Sequence, residues 1–328
     1  MVLATLMGKT IKIVAGLSGA ADAAQLRRLA EAGADEFFLG YLPDSWAAEF
    51  GQEFSPNRRY RGASQVSTRR ALEGLCAQAR RLGRPVTMAF NEHLVTPAAW
   101  RQGRRLIREA RAAGVSGVIV ADPSVIGLVC GEFPDLAVQV SGDAGVYNAA
   151  AGELFFAAGA RRLIFPRELG WPDLRAALAA LGGPRREFEV FIMGEACVYD
   201  GARCFTEHGY SLGRDFCVGH SLKLLYRRGR RRPECLVPRE EAFWRGYRSR
   251  KPWRWGKCGL CAIPRLAAIG VTHLKVPGRS SDALESVRLV RRVIEAAAAA
   301  GPLARSLLDV PRLCASRLLC YYPELGHD

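Results

Sequence analysis

The sequence predicts an α/β fold of the (β/α)8, TIM-barrel-like type, and three observations support this prediction. Eight short apolar runs recur along the chain, and a stretch with helical spacing follows most of them. Most of the runs are apolar at every position, which is typical of parallel strands that are covered on both faces. The length of 328 residues suits one such barrel as a single domain.

The predicted strands and helices alternate in chain order. Helical patterns include "AAQLRRLAEAGA", "TRRALEGLCAQARRLG" and "AAWRQGRRLIREARAAG", and several end in Gly, a common helix stop. A doubly wound sheet would alternate in the same way, but no G-x-G-x-x-G motif follows the first strand. The predicted strands are residues 10–16, 35–40, 85–90, 117–122, 136–142, 162–167, 188–194 and 273–279.

The longest irregular stretch, residues 195–262, lies between the seventh and eighth predicted strands. It carries a group of cysteines and a dense run of basic residues. Loops of this length in compact domains are usually functional or disordered. We therefore predict a barrel domain over residues 1–300, with residues 195–262 as an insert, and a C-terminal tail over residues 301–328.

The composition and the lengths of the apolar runs indicate a globular protein and bear on its compartment. Apolar residues make up 49% of the chain, enough for a substantial core, and no apolar run approaches the length of about 18 residues that a membrane-spanning helix needs. The N-terminus lacks the basic region and the cleavage site of a signal peptide. We therefore expect a cytoplasmic protein without a transmembrane segment, in which disulfides are uncommon.

The ten cysteines then act either as metal ligands or as buried apolar residues. Cys76, Cys130, Cys314 and Cys320 have apolar helical surroundings, which favours burial. Polar residues flank a second group, so burial explains that group poorly, and its thiolates suit either a [4Fe–4S] cluster or a structural zinc ion. This group consists of Cys197, Cys204, Cys217, Cys258 and Cys261.

Polar side chains follow several of the predicted strands. Because active sites of α/β barrels lie at the carboxyl ends of the strands, these side chains are expected to meet at one rim. They are Asn91, Asp122, Ser141, Asp143, Arg167, Glu168, Glu195, Lys275 and Arg279.

The order of several segments resembles peptidase family U32, the collagenase-like proteins. The segment "FEVFIMGEACVYDGARCF" is similar to the family signature, and "GADEFFLG", "PVTMAFNEHL", "GVSGVIVADPSVIGLV" and "CAIPRLAAIGVTHLKVPGR" follow in the family's order. The resemblance implies a barrel-like α/β fold. It also implies a [4Fe–4S] cluster on Cys197, Cys204, Cys217 and Cys258, with Cys261 as the alternative fourth ligand.

The resemblance implies more than one activity. Some family members are classed as peptidases, and others are oxygen-independent hydroxylases that take oxygen from prephenate. The hydroxylases act on the ubiquinone ring in anaerobic bacteria or on a pyrimidine of tRNA or ribosomal RNA. The compact length resembles the quinone-pathway members, so we expect hydroxylation of an aromatic ring in ubiquinone biosynthesis, with a related family subunit as heterodimer partner. RNA hydroxylation and peptidase activity are the alternatives, and the hydrolytic motifs G-x-S-x-G and H-E-x-x-H are missing from the sequence.

For the hydroxylase, the predicted catalytic residues are Arg167, Glu168, Asp143, Lys275 and Arg279. Prephenate carries two carboxylates, which the cations Arg167, Lys275 and Arg279 are suited to bind, since an arginine fork matches a carboxylate. Glu168 or Asp143 is expected to transfer protons.

The basic run over residues 227–257 is a candidate binding surface. It holds 12 Arg or Lys against 3 Glu, a net charge of +9 out of the +15 of the whole chain, and it includes Trp244, Tyr247, Trp253 and Trp255. Cations beside stacking aromatics suit single-stranded RNA. A protein partner, an anionic membrane surface or a solvated charged face are the alternatives.

Overall fold

The structure is a computed structural model that describes residues 11–50, 55–59, 64–194, 201–203, 257–278, 283–298 and 320–325. Eight parallel strands close into a barrel, and each of them overlaps one of the eight predicted runs, so the predicted fold class is confirmed. They are β1 (Lys12–Gly16), β2 (Glu36–Gly40), β3 (Val86–Phe90), β4 (Gly117–Val120), β5 (Ala137–Val140), β6 (Arg162–Ile164), β7 (Glu187–Phe191) and β10 (His273–Val276).

The strands follow one another around the barrel in chain order, and β1 closes it by pairing with β10. The register sets Val14 opposite both Glu36 of β2 and Lys275 of β10. Apolar side chains such as Ile13, Leu39 and Met88 are fully buried. The continuous apolar runs are thus explained by a sheet that is covered by helices outside and by side chains inside.

Helices lie between the strands and bury one apolar face each. They are α1 (Ala23–Glu31), α2 (Asp44–Phe50), α3 (Arg69–Arg81), α4 (Pro97–Ala113), α5 (Pro123–Glu132), α6 (Ala149–Ala157), α7 (Trp171–Leu181), α8 (Ile263–Ala268) and α9 (Leu284–Ala298). The side chains of Asp22, Thr68, Thr96 and Asn148 accept hydrogen bonds from backbone N–H groups at the starts of α1, α3, α4 and α6. Gly114 ends α4 with a φ of 107°. Among the described helices, none combines the length and the apolarity needed to cross a bilayer.

A small antiparallel pair joins the two ends of the predicted insert. Strand β8 (Met193–Gly194) continues from β7 and pairs with β9 (Lys257–Cys258), so Met193 lies opposite Cys258. Residues 320–325 of the predicted tail pack against this pair: the Tyr321 N–H donates to the Cys258 carbonyl at 3.0 Å and the Tyr321 hydroxyl to the Gly194 carbonyl at 2.6 Å. The domain boundaries given above stay a prediction.

Candidate functional site

A pocket opens at the carboxyl ends of the barrel strands. Its floor is partly apolar, with Phe38, Ile119 and Phe191, and its walls are polar. The polar lining residues include Asn57, Arg58, Arg59, Asn91, Ser141, Asp143, Arg167, Glu168 and Lys275. The structure therefore brings together four of the five residues predicted to be catalytic, while Arg279 lies outside the described residues. Their catalytic roles stay a prediction.

Asp143 is held in place on the pocket wall by three neighbours. It lies in a 3₁₀ turn, Gly142–Ala144, and its N–H donates to the Ser141 hydroxyl oxygen at 3.2 Å. Its Oδ2 accepts a hydrogen bond of 2.7 Å from Asn91 Nδ2, and its Oδ1 lies 3.5 Å from Arg58 Nη1. These contacts orient the Asp143 carboxylate before any ligand binds. A general acid or base needs such positioning, because it must lie within hydrogen-bond reach of the proton that it transfers.

Asn91 presents a hydrogen-bond acceptor in the same wall. The residue is 8% exposed, and its amide nitrogen donates to Asp143 and, at 3.3 Å, to Ser141. Its carbonyl oxygen is buried and has no hydrogen-bond partner among the described residues. Since buried polar atoms are rarely left unpaired, this oxygen marks a position for an N–H or O–H group of a ligand.

Arg58 is a site residue that the sequence analysis missed. It is 5% exposed and adopts a left-handed φ of 59°, an uncommon conformation for a residue other than Gly, which recurs at functional sites. Its Nη1 lies 3.0 Å from the Gly201 carbonyl and 3.2 Å from His93 Nε2. Burial and the Arg58 charge lower the pKa of His93, so the neutral imidazole accepts the hydrogen bond from Arg58.

Hydrogen bonds between buried side chains stabilise the loop that carries Arg58. The amides of Asn57 and Gln65 form reciprocal hydrogen bonds of 2.9 and 2.7 Å, and Gln65 also contacts Ser55. All three side chains are buried. This buried polar framework holds Arg58 in its unusual backbone conformation.

Gly201, in the short described stretch 201–203, lines the pocket. It approaches Asp143 so closely that a Cβ atom at position 201 would lie 2.5 Å from Asp143 Oδ1. In the sequence, Gly201 lies between two predicted cluster ligands, Cys197 and Cys204, which are themselves outside the described residues.

Lys275 lies deeper than predicted. The sequence placed it at the rim, whereas the structure places it within β10, 5% exposed, on the pocket floor. Its Nζ donates to Glu189 at 2.7 Å and lies 3.8 Å from the centre of the Phe38 ring. Arg167 packs in a similar way, with its guanidinium 4.6 Å from the centre of the Phe191 ring. Both cations therefore rest on aromatic faces beside the pocket.

Below the pocket, a network of charged residues fills the barrel interior. Arg162 forms ion pairs with Glu36 at 2.8 Å, Glu187 at 2.8 Å and Glu189 at 2.9 Å. His273 lies 2.8 Å from Arg162 Nη2 and 3.1 Å from Glu36 Oε1. Burial raises the pKa values of the three carboxyls, but the cations and hydrogen bonds around them outweigh burial and hold all three below their usual range.

A pattern of charged residues in two strands indicates this network. In the seventh strand Glu187 and Glu189 are two residues apart, and in the eighth strand His273 and Lys275 are two residues apart. Residues at that spacing point to the same side of a strand. Charged residues on one side of a buried strand indicate a polar barrel interior, in place of the usual apolar layers.

The predicted cluster ligands are only partly described. Cys258 lies in β9 and is partly buried, and Cys261 is exposed in the following 3₁₀ turn. Cys197, Cys204 and Cys217 lie outside the described residues. Thiolates of this kind suit an iron–sulfur cluster or zinc, and the ligand set stays a prediction.

Other predicted polar and thiol groups have structural roles. Asp122 does not reach the pocket; it caps α5 by accepting from the Ser124 N–H at 2.9 Å. Cys76 is buried on α3, where burial raises the pKa of its thiol to about 11, and burial also raises the pKa of Cys130. The prediction that Cys76, Cys130, Cys314 and Cys320 are buried holds for Cys76 and Cys320; Cys130 is partly buried, and Cys314 lies outside the described residues.

Two relatives with assigned functions share part of the sequence. The tRNA hydroxylation protein P of Escherichia coli (strain K12) is 30% identical over 102 residues, which make up 31% of this chain and 22% of that protein. The tRNA hydroxylation protein P of Helicobacter pylori (strain J99 / ATCC 700824) is 34% identical over 86 residues, 26% of this chain and 20% of that protein. The matched part of the chain thus spans about a fifth of the length of these relatives.

Solved structures and a family model complete the comparison. The structure of the U32 peptidase Mk0906 matches 56% of this chain and 70% of that chain, with 16% identity and a TM-score of 0.42. The structure of 2,3-dimethylmalate lyase matches 94% of this chain and 92% of that chain, with 12% identity and a TM-score of 0.41. The model of Peptidase family U32 matches residues 21–317. Since that match spans most of the sequence, the chain belongs to peptidase family U32.

Proposed function

We propose that this chain takes part in the oxygen-independent hydroxylation of a pyrimidine in RNA, with the reaction at the mouth of the barrel. The observation that carries the proposal is the likeness to two proteins named for tRNA hydroxylation, at 30% and 34% identity. Because the likeness covers about a third of the chain or less, the pocket has to support the proposal independently.

The pocket offers what a hydroxylation of this kind needs. Phe38 and Phe191 provide apolar surface for a planar ring, and the open carbonyl oxygen of Asn91 suits the N–H of a pyrimidine. Asp143 and Glu168 supply carboxylates for proton transfer. The ring and the proton acceptor can therefore meet in one place.

The cations of the pocket support an anionic oxygen donor. Arg167 lines the cavity from the turn after β6 and Lys275 from β10, and Arg58 and Arg59 approach from the loop after α2. A dicarboxylate such as prephenate, the donor that the family resemblance implies, would bind to such a set through charge-assisted hydrogen bonds. We propose prephenate as the co-substrate on this basis.

A [4Fe–4S] cluster on Cys197, Cys204, Cys217 and Cys258 is part of the proposal. When bound, the cluster would supply electron transfer or structural support at the pocket wall. The contact of Gly201 with Asp143 supports this proposal, because Gly201 lies between Cys197 and Cys204 in the sequence.

The other candidate functions have less support. Hydroxylation of a ubiquinone precursor with a related subunit stays a prediction, because the two relatives described above are named for tRNA hydroxylation. A peptidase needs a nucleophile with a base. The Ser141 hydroxyl instead contacts Asn91 and the Asp143 N–H, so among the described pocket residues no nucleophile is paired with a histidine.

One experiment tests the proposal against both alternatives. The gene is deleted, the strain is grown without oxygen, and its RNA nucleosides and quinones are profiled by mass spectrometry. We expect loss of a hydroxylated pyrimidine with an unchanged quinone profile. If an under-hydroxylated quinone precursor accumulates while the RNA nucleosides are unchanged, the chain acts in quinone synthesis. If both profiles are unchanged, the chain is not a hydroxylase of either substrate.

A further inference from the structure

Helix α4 presents a row of exposed arginines. Arg101, Arg105 and Arg108 are spaced four and three residues apart, which places them on one side of the helix, and all three are exposed. None of the three forms an ion pair with a carboxylate among the described residues. We call these three residues the arginine row.

The carboxylates around α4 are engaged elsewhere. On one flank, Glu132 and Asp135 pair with Arg104 at 2.8 Å and with Arg111 at 2.7 Å. On the other flank, Glu109 accepts a hydrogen bond from the Tyr41 hydroxyl. One flank is thus neutralised by ion pairs, the Glu109 carboxylate on the other is hydrogen-bonded to Tyr41, and none of these carboxylates forms a described ion pair with the row.

This arrangement is unfavourable for the free protein. Like charges at three- and four-residue spacing destabilise a helix by about 0.2–0.5 kcal/mol per pair. Glu132 and Asp135 form ion pairs with two other arginines of the same helix and with none of the row. An anionic partner would relieve the repulsion within the row.

The row leads toward the pocket. Helix α4 starts at Pro97, directly after the loop that begins with the pocket residue Asn91 and includes His93, a neighbour of Arg58. In a (β/α)8 barrel this end of the helix lies at the carboxyl ends of the strands. Arg101 is therefore nearest the rim, and Arg108 lies about 10 Å farther along the helix, from the rise of 1.5 Å per residue.

We propose that the arginine row is a docking surface for the phosphate backbone of an RNA whose target base enters the pocket. This inference rests on the proposed function and adds the path by which the RNA reaches the site. Guanidinium groups bind phosphates through paired hydrogen bonds, and a row of about 10 Å suits two or three successive phosphates. The apolar residues Leu106 and Ile107 of α4 are buried in the core, so the helix has no apolar face for a membrane surface or for the centre of a protein interface.

The test uses the full chain and a fluorescently labelled, unmodified tRNA transcript. Binding is measured by fluorescence anisotropy over a series of salt concentrations, for wild type and for the triple variant Arg101→Gln, Arg105→Gln, Arg108→Gln. The matched control is Arg175→Gln, Arg288→Gln, Arg292→Gln, which removes the same charge from exposed positions on α7 and α9. A cooperative thermal unfolding transition in each of the two variants shows that both are folded.

We expect the row variant to bind at least about tenfold more weakly at low salt, with a slope of log affinity against log salt that is smaller by about two to three. The control variant should keep the slope of the wild type. If wild type binds tRNA and both variants bind equally, the inference is wrong while the proposed function stands. If wild type does not bind tRNA at all, the proposed function fails together with the inference. Loss of binding to phosphatidylglycerol vesicles in the row variant, with RNA affinity unchanged, would overturn the inference in favour of a membrane surface.

Discussion

The Nζ atom of Lys275 lies 2.7 Å from a carboxylate oxygen of Glu189, a residue with no exposed surface, inside the barrel. Lys275 also lines the pocket, so this ion pair joins the candidate site to the charged network below it. Through Glu189 the network continues to Arg162 and from there to Glu36 and Glu187. The position of a pocket cation therefore depends on residues that no ligand touches.

The first prediction concerns Glu189→Gln. The substitution removes the buried carboxylate that Lys275 contacts and one of the three carboxylates around Arg162, and breaking a buried ion pair in this way costs about 3–5 kcal/mol. Urea unfolding should show a loss of free energy in this range. The surface pair of Glu153 with Arg186 provides the control, since Glu153→Gln should cost about 1 kcal/mol at most. Equal losses in the two variants would contradict the role assigned to the network.

The second prediction is a pH dependence of stability. The pKa values of Glu36, Glu187 and Glu189 are lower in the folded chain than the ordinary value of 4.5 that they have when unfolded. The folded state then binds fewer protons, so the network stabilises fully above the ordinary value and less as pH falls through the lower folded values. The free energy of unfolding should decrease below about pH 5, and the decrease should be smaller for Glu189→Gln. The same decrease in wild type and variant would show that other carboxyls are responsible.

The third prediction compares two glycines in neighbouring helices. A Cβ atom on Gly103 of α4 would lie 2.4 Å from Cζ of the buried Phe90 ring, whereas a Cβ atom on Gly74 of α3 meets nothing within 4 Å. Gly103→Ala should destabilise by about 1–3 kcal/mol through overpacking. Gly74→Ala should stabilise by about 0.5–1 kcal/mol, because alanine restricts the unfolded chain. Thermal midpoints measure both, and a stabilising Gly103→Ala would show that α4 packs less closely on the barrel.

The fourth prediction concerns the cysteines. Protein purified without oxygen should be brown and contain about four iron atoms per chain, and Cys258→Ala should lose the colour. Cys130→Ala should keep the colour, because its thiol lies in an apolar environment that raises its pKa. If Cys258→Ala keeps the colour and Cys261→Ala loses it, the fourth ligand is Cys261. A colourless wild type with one equivalent of zinc would contradict the cluster.

Much of the fold could be predicted because its signals are local. Continuous apolar runs mark strands covered on both faces, and they gave all eight barrel strands. The same runs located the strand ends, and through them Asn91, Asp143, Arg167 and Glu168 at one pocket. The strand order around the barrel then follows the chain order.

The parts that were missed depend on long-range contacts. Arg58 lies between two helices, and neither its left-handed backbone nor its contact with Gly201 has a sequence pattern. Lys275 was placed at the rim, whereas its side chain lies on the pocket floor and contacts Glu189 of the neighbouring strand β7. The arginine row was visible as a basic helix, but its lack of ion pairs depends on which neighbours engage the flanking carboxylates.

The central claim is that the pocket at the barrel mouth hydroxylates RNA, and complementation of the deletion strain tests it most directly. The strain receives wild type, Asp143→Asn, Cys204→Ala or the surface variant Arg175→Gln at equal protein levels, and its RNA nucleosides are measured by mass spectrometry after growth without oxygen. The account predicts that wild type and Arg175→Gln restore the hydroxylated pyrimidine, whereas Asp143→Asn and Cys204→Ala do not. Full restoration by Asp143→Asn and Cys204→Ala would contradict it.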